Sequence, residues 1–286
     1  MSITYKDVVE AFIADFKWMH HASYQPDVRC DFDGDPSPLA MILPVAGHPT
    51  LRFSYRFADS VVSSHTDLFY CLIIAGHELA HWANAHTKHL DADDLDSKAI
   101  EMWADLFGTR LVFTAVARCP NLRLIINRLR TPAFDAEGAD ALLPAYGEAL
   151  RQVYERVFVP TGLTPTYPSP NERVQICGVG VTSFFYRHLG KMHQRMTVHA
   201  LKKVILEPFA DVPDLFPKDK DWQESADLAY RTIEIHLGLK QGRPSITPGI
   251  RLEFNQLVGT NYLGHAENKV HREGLKAQVQ AWGVDV

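Results

Sequence analysis

His77-Glu78-Leu79-Ala80-His81, followed by Glu101-Met102-Trp103-Ala104-Asp105 in a second apolar stretch, decides how the rest of the chain is read. Positions i and i+4 of a helix share one face, with Cβ atoms about 5–6 Å apart, so His77 and His81 can converge on one ion. Glu101 and Asp105 have the same spacing and also face one way. Two imidazoles and one carboxylate supply three ligands of a tetrahedral zinc site and leave the fourth position to water, which is the open arrangement of a catalytic site. Glu78 projects one residue around from the histidines. A carboxylate there can reach the water without binding the metal, as a general base must.

Upstream, Ser64-His65-Thr66-Asp67 reads as a helix start, with Ser64 accepting from the backbone near Asp67 and the Asp67 charge favoured by the helix N-terminus. Leu68, Phe69, Leu72, Ile73 and Ile74 then bury that helix. Downstream, Asp91-Ala92-Asp93-Asp94-Leu95-Asp96 reads as a solvated loop ending in a cap, because it lacks the alternating ligands and closing glutamate of a calcium loop. Lys98 to Ala117 has the length and apolar content of a second helix. Ala104 and Gly108 are small enough to let the two helices approach closely. If Glu101 ligates the ion, Asp105 is placed to accept a hydrogen bond from the outer ring nitrogen of a zinc-bound histidine. His86 falls back near the face of His77, and a zinc with three ligands and water has no place for it as a ligand. A position beside the ligands or at the surface is expected. Of the 14 histidines, His20, His21, His188, His193 and His199 lack a spacing that also supplies a carboxylate, and they are expected at the surface or in the core.

The blocks His77 to His86 and Glu101-Met102-Trp103-Ala104-Asp105-Leu106-Phe107-Gly108 resemble the gluzincin metallopeptidases. The nearest are the family of the HtpX heat-shock peptidase and the CAAX prenyl endopeptidase, whose third ligand sits in a Glu-x-x-Ala-Asp-x-x-Gly context. The phage-exclusion peptidase Lit is a more distant comparison. A third block, Tyr167-Pro168-Ser169-Pro170-Asn171-Glu172-Arg173, is similar to that family's His-Pro-Ser-x-x-x-Arg segment, with Tyr167 in place of the histidine. The resemblance covers roughly residues 50 to 180. It implies a zincin-like fold, a Zn2+ ion held by His77, His81 and Glu101, Glu78 as base, and Tyr167 or Arg173 supporting the oxyanion. A tyrosine hydroxyl can donate to an oxyanion as the histidine does. Arg173 can instead form a structural ion pair, and Tyr167 can be loop packing.

At 286 residues and 46% apolar content the chain can bury a large core. A net charge of −5 and pI near 6.3 give no basic footprint, so nucleic acid is not an expected partner. Cys30, Cys71, Cys119 and Cys177 form no Cys-x-x-C pair, which suits reduced thiols in a cytoplasm better than a disulfide framework. Acidic residues among the apolar ones before Phe16 argue against a signal peptide, and Val8, Val9, Phe12, Ile13 and Phe16 have the spacing of an amphipathic helix. No apolar run reaches the roughly 18 residues that a membrane span needs.

Between Pro26 and Thr50, five prolines and two glycines predict turns and short strands. Leu39 to Leu43 and the alternating Leu51 to Phe57 predict a small sheet, and the second segment resembles by position the gluzincin edge strand that holds the substrate backbone. Helices are expected over Leu122 to Leu129, Ala136 to Val159, Thr197 to Leu206, Asp221 to Leu239 and Ala266 to Trp282, with a loop over Pro160 to Pro170. The fold class is therefore α+β, mostly helical, with a small sheet before the active-site helix. A metallopeptidase domain over 1–195 and a helical C-terminal extension over 196–286 packed on it are expected. The expected activity is that of a zinc-dependent endopeptidase acting on a protein or peptide substrate, restrained by an activating or inhibitory protein partner or by the 160 to 170 loop. The alternatives are a zinc-stabilised regulatory or binding protein with little turnover, or a zinc hydrolase of a non-peptide amide.

Overall fold

The computed structural model describes residues 2–258 except 36–37, 46, 90–92, 131–137, 162–163, 165, 190–192, 217–221 and 241–248. The helix expected over Ala266 to Trp282 lies outside these residues. The fold is mostly helical with a small sheet, as an α+β chain should be. Helix α1, Tyr5–Trp18, opens with a reciprocal cap in which Asp7 N donates to Thr4 Oγ1 (3.3 Å) and Thr4 N donates to Asp7 Oδ2 (2.7 Å). It buries Val8, Val9, Phe12, Ile13 and Phe16, the stripe that its spacing marks.

Strands β2 (Arg29–Gly34), β3 (Ala40–Val45) and β4 (His48–Ser54) form a three-stranded sheet in the order β2-β4-β3. Strand β4 runs parallel to β2 and antiparallel to β3. A separate two-residue pair joins β1 (Ile3–Thr4) to β5 (Val61–Val62). Two expectations need correction. The segment from Leu51 to Phe57 is not strand throughout, because Ser54 Oγ accepts from Phe57 N at 3.2 Å and caps the short helix α2, Tyr55–Ala58. Nor is β4 an edge strand. Both of its sides are paired, and the edge that packs beside the helix carrying His77 and His81 is β3.

That helix, α3 (His65–Ala83), starts at Ser64, whose Oγ accepts from Asp67 N at 3.1 Å. It packs against α4 (Asp94–Arg118), α1, β3 and α6 (Leu142–Val153). Gly76 and Gly108 face each other where α3 meets α4, and a Cβ on Gly108 would lie 2.7 Å from Gly76 O. Only glycine permits that approach. Helix α5 spans Pro120–Arg128, and α6 continues through a π-helical turn, Tyr154–Phe158, into Val159–Thr161, so the expected loop begins later than Pro160. Helix α7, Pro170–Leu189, has no counterpart in the sequence expectations. Helix α8 (His193–Leu201) runs into a second π-helical turn at Lys202–Leu206. Helices α9 (Trp222–Lys240) and α10 (Leu252–Val258) complete the described chain, both packed on α4. One hydrophobic cluster runs from Val8 and Phe12 through Leu72, Leu111 and Val181 to Ile205 and Leu257, so residues on both sides of position 195 share it. No helix among the described residues is long and apolar enough to cross a membrane.

Candidate metal centre

His77 and His81 lie on the α3 face turned toward α4, and Glu101 and Asp105 lie on the α4 face turned back toward them. His77 Nε2 is 3.0 Å from His81 Nε2 and 3.1 Å from Glu101 Oε2, and His81 Nε2 is 3.4 Å from Glu101 Oε1. Ligand atoms of a tetrahedral ion with metal–nitrogen bonds of about 2.0–2.1 Å stand about 3.3 Å apart, so three donor atoms are already grouped at ligand spacing. Glu101 Oε2 is buried, and its contact with His77 lacks the direction of a hydrogen bond. A buried carboxylate oxygen that accepts no hydrogen bond is what an electropositive ligand would satisfy. These three side chains can hold a metal ion.

The outer ring nitrogens are also engaged. His77 Nδ1 is 2.8 Å from Asp105 Oδ1, so Asp105 stands behind a ring that could ligate an ion. Asp105 is in turn gripped by Arg173, whose Nε and Nη2 donate to its two oxygens at 2.7 and 3.0 Å. Arg173 is buried over the Phe158 ring at 4.0 Å, and its Nη2 lies 3.9 Å from Glu101 Oε2. Its fork therefore grips the carboxylates of α4, while the residue also lines the cleft described below. His81 Nδ1 is 2.9 Å from His86 Nδ1. His86 does not reach that point on a continued helix. Helix α3 ends at Ala83, Asn84 Nδ2 donates back to Ala80 O at 2.7 Å, and Ala85 takes a left-handed conformation (φ 55°) that folds His86 over His81.

Burial and charge act in opposite directions on these groups. Burial disfavours a charged His77, but Asp105 and Glu101 outweigh it and raise the pKa of His77 well above 6.5. His81 is governed by burial, which lowers it to about 4. Burial likewise works against the charges of Glu101 and Asp105. The histidines hold Glu101 below its usual range, and Arg173 with His77 does the same for Asp105. Glu78 differs: burial pushes its carboxyl up to about 7, and it hydrogen-bonds to none of the described residues. It lines a cleft of about 280 Å³ together with His77, Asp105, Tyr167, Arg173 and the edge-strand residue Ala40. Tyr167 is thus brought to the site, 5.5 Å from Arg173 Cζ at its ring centre, and its hydroxyl pKa is raised by the Glu101 charge and by burial.

One expectation about the charged residues changes. Asp96 is buried, 2.7 Å from His89 Nε2 and paired with Arg231 of α9, so the 91–96 run is not solvated throughout. His236, also on α9, is buried with its Nε2 2.9 Å from His86 Nε2. Sequence spacing could not find it, since the partners are 150 residues apart. A signal for α7 was present, however. Ser169-Pro170-Asn171-Glu172 is a capping box with proline at the first helical position, and Ser169 N donates to Glu172 Oε2 at 3.0 Å. Compared with protein-family models, curated proteins and solved structures, the chain matches none.

Proposed function

We propose that the chain is a zinc-dependent endopeptidase of the gluzincin kind, with His77, His81 and Glu101 as ligands and Glu78 as general base. The observation that carries this is that Glu78, hydrogen-bonded to none of the described residues and with its pKa raised to about 7, lines one cleft with His77 of the three-donor cluster. A scaffold that only stored a metal has no need of such a carboxylate, and a base working near neutral pH needs a pKa in that range. Two nitrogens and one carboxylate oxygen suit zinc. Bound there, zinc would supply Lewis acidity that makes water a usable nucleophile at neutral pH.

Glu78 then accepts the proton of the attacking water and delivers it to the leaving amine. Asp105 holds the His77 ring by its Nδ1, and Arg173 keeps Asp105 ionised and in place. The Tyr167 hydroxyl is the donor available to the carbonyl oxygen as that oxygen gains charge. An extended peptide would enter along β3, whose Ala40 lines the cleft beside Leu39. Glu78→Gln tests the whole assignment. It should bind zinc like the wild type while new N-termini, detected by proteomics in cells making the intact protein, disappear. Loss of zinc from this variant, or unchanged cleavage, would overturn the role of Glu78.

A further inference from the structure

The metal cluster continues inward as a row of three imidazoles. His81, His86 and His236 are all buried, and the two nitrogen pairs between them are each 2.9 Å apart. The His86 and His236 ring planes are within 9° of parallel with centroids 5.2 Å apart. With the Nε2 atoms at 2.9 Å between those centroids, the rings lie edge to edge and the hydrogen bond runs along their planes. Trp103 packs against His236, with ring centroids 5.1 Å apart and planes at 66°.

Ligation fixes the direction of this chain. An ion bound by His81 at Nε2 leaves the proton of that ring on Nδ1, which must donate to His86 Nδ1. His86 therefore carries its proton on Nε2 and donates it to His236 Nε2, so His236 carries its own on Nδ1. Each ring stays neutral, and each hydrogen bond has one donor and one acceptor. The terminal acceptor is delivered by α9, which is fixed on α4 by the Arg231 pair with Asp96, by Thr232 Oγ1 donating to Ala99 O at 3.2 Å, and by Leu228 and Ile235 packed with Ala99 and Ile100. Helix α4 also carries Glu101 and Asp105.

The geometry points to His236 as a positioning residue of the metal centre: by accepting from His86 it orients His81 as an Nε2 ligand, and so makes α9 part of the site. This rests on the metal-centre reading above. Without the acceptor, the His86 N–H would be buried unpaired or would turn away from His81, and loss of such an outer partner typically costs about 10–100-fold in metal affinity. Because the atom used is Nε2, glutamine can offer its amide oxygen near the same place, whereas leucine fills the space with no acceptor.

Zinc affinity by chelator competition should fall about 10–100-fold in His236→Leu and stay within about threefold of wild type in His236→Gln. Thermal unfolding of the metal-free proteins should be alike for the two variants. In the zinc-loaded wild type, ring 15N signals should show His86 protonated on Nε2 and His236 on Nδ1. Equal zinc affinity in wild type and His236→Leu, equal losses in both variants, or the opposite tautomers would overturn the inference, and the tautomer measurement decides it even if a variant does not fold. A wild-type protein that binds no zinc would instead bring down the metal-centre reading itself.

Discussion

His77 meets two opposed demands: it must be neutral to bind a metal, yet in the metal-free protein Asp105 and Glu101 hold a proton on it above its ordinary 6.5. The sign follows directly. A raised pKa contributes stability to the metal-free fold below the unfolded value, and that stability is lost as pH rises through the raised one. A zinc ion bound at His77 would displace that same proton, whereas His81, at about 4, has none to give at neutral pH. Calorimetry at pH 8 in buffers of different ionisation enthalpy should therefore show about one proton released per zinc, and affinity should rise about tenfold per pH unit above neutrality. Release of no proton would place the metal elsewhere. Tyr167 poses a separate question, because only its hydroxyl is proposed to act. Tyr167→Phe keeps the ring beside Arg173, so zinc binding should hold while turnover falls about 10²–10³-fold, the usual loss for one oxyanion donor. Turnover at the wild-type rate would make this tyrosine a packing residue.

Helices α3 and α4 place these residues, and their separation is set by Gly76 and Gly108. A Cβ on Gly108 would sit 2.7 to 2.9 Å from Gly76 O and C and from His77 N, all backbone atoms that cannot turn aside. Alanine favours a helix over glycine by about 1 kcal/mol. The clash outweighs this gain, so Gly108→Ala should cost about 1–3 kcal/mol and, by widening the gap that Glu101 spans, weaken zinc binding as well. Gly238→Ala on α9, with open space around it, is the control and should not destabilise. Denaturant titration of the two variants checks the contrast. This pair of helices was legible because its information is local: Ser64 as cap, an apolar approach, candidate ligands at helical spacing, and Gly108 three residues beyond Asp105. The sheet was less so. Alternation marks a strand but not its neighbours, so the central place of β4 and the parallel pairing with β2 could not be read from Leu51 to Phe57. Helix α7 had its capping box at Ser169 and Glu172, which was obscured by the prolines before it. His236 was out of reach on any local rule, since only tertiary packing of α9 brings it to His86.

At the scale of the whole molecule, the core decides what the C-terminal third contributes. Val204, Ile205 and Phe209 are buried in the same cluster as Tyr146, Leu150 and Cys177, and Gly147 of α6 comes so close to Lys203 that an added Cβ would be 2.6 Å from its carbonyl oxygen. Phe254, Leu257 and Val258 join that cluster from α10. Each such side chain contributes about 1.5–3 kcal/mol by burial, and six of them together rival the net stability of about 5–15 kcal/mol typical of a folded protein. Cutting after residue 195 would remove all six and expose the apolar faces of α6 and α7 that they cover. It would also remove Arg231 and His236, leaving Asp96 and His86 without partners that the intact fold supplies. Residues 1–195 alone should therefore lack a cooperative thermal transition by circular dichroism and bind zinc weakly, although every proposed ligand is present. A sharp transition with zinc affinity equal to that of the intact chain would show instead that the residues after 195 are an accessory layer, and that the N-terminal part holds its metal without them.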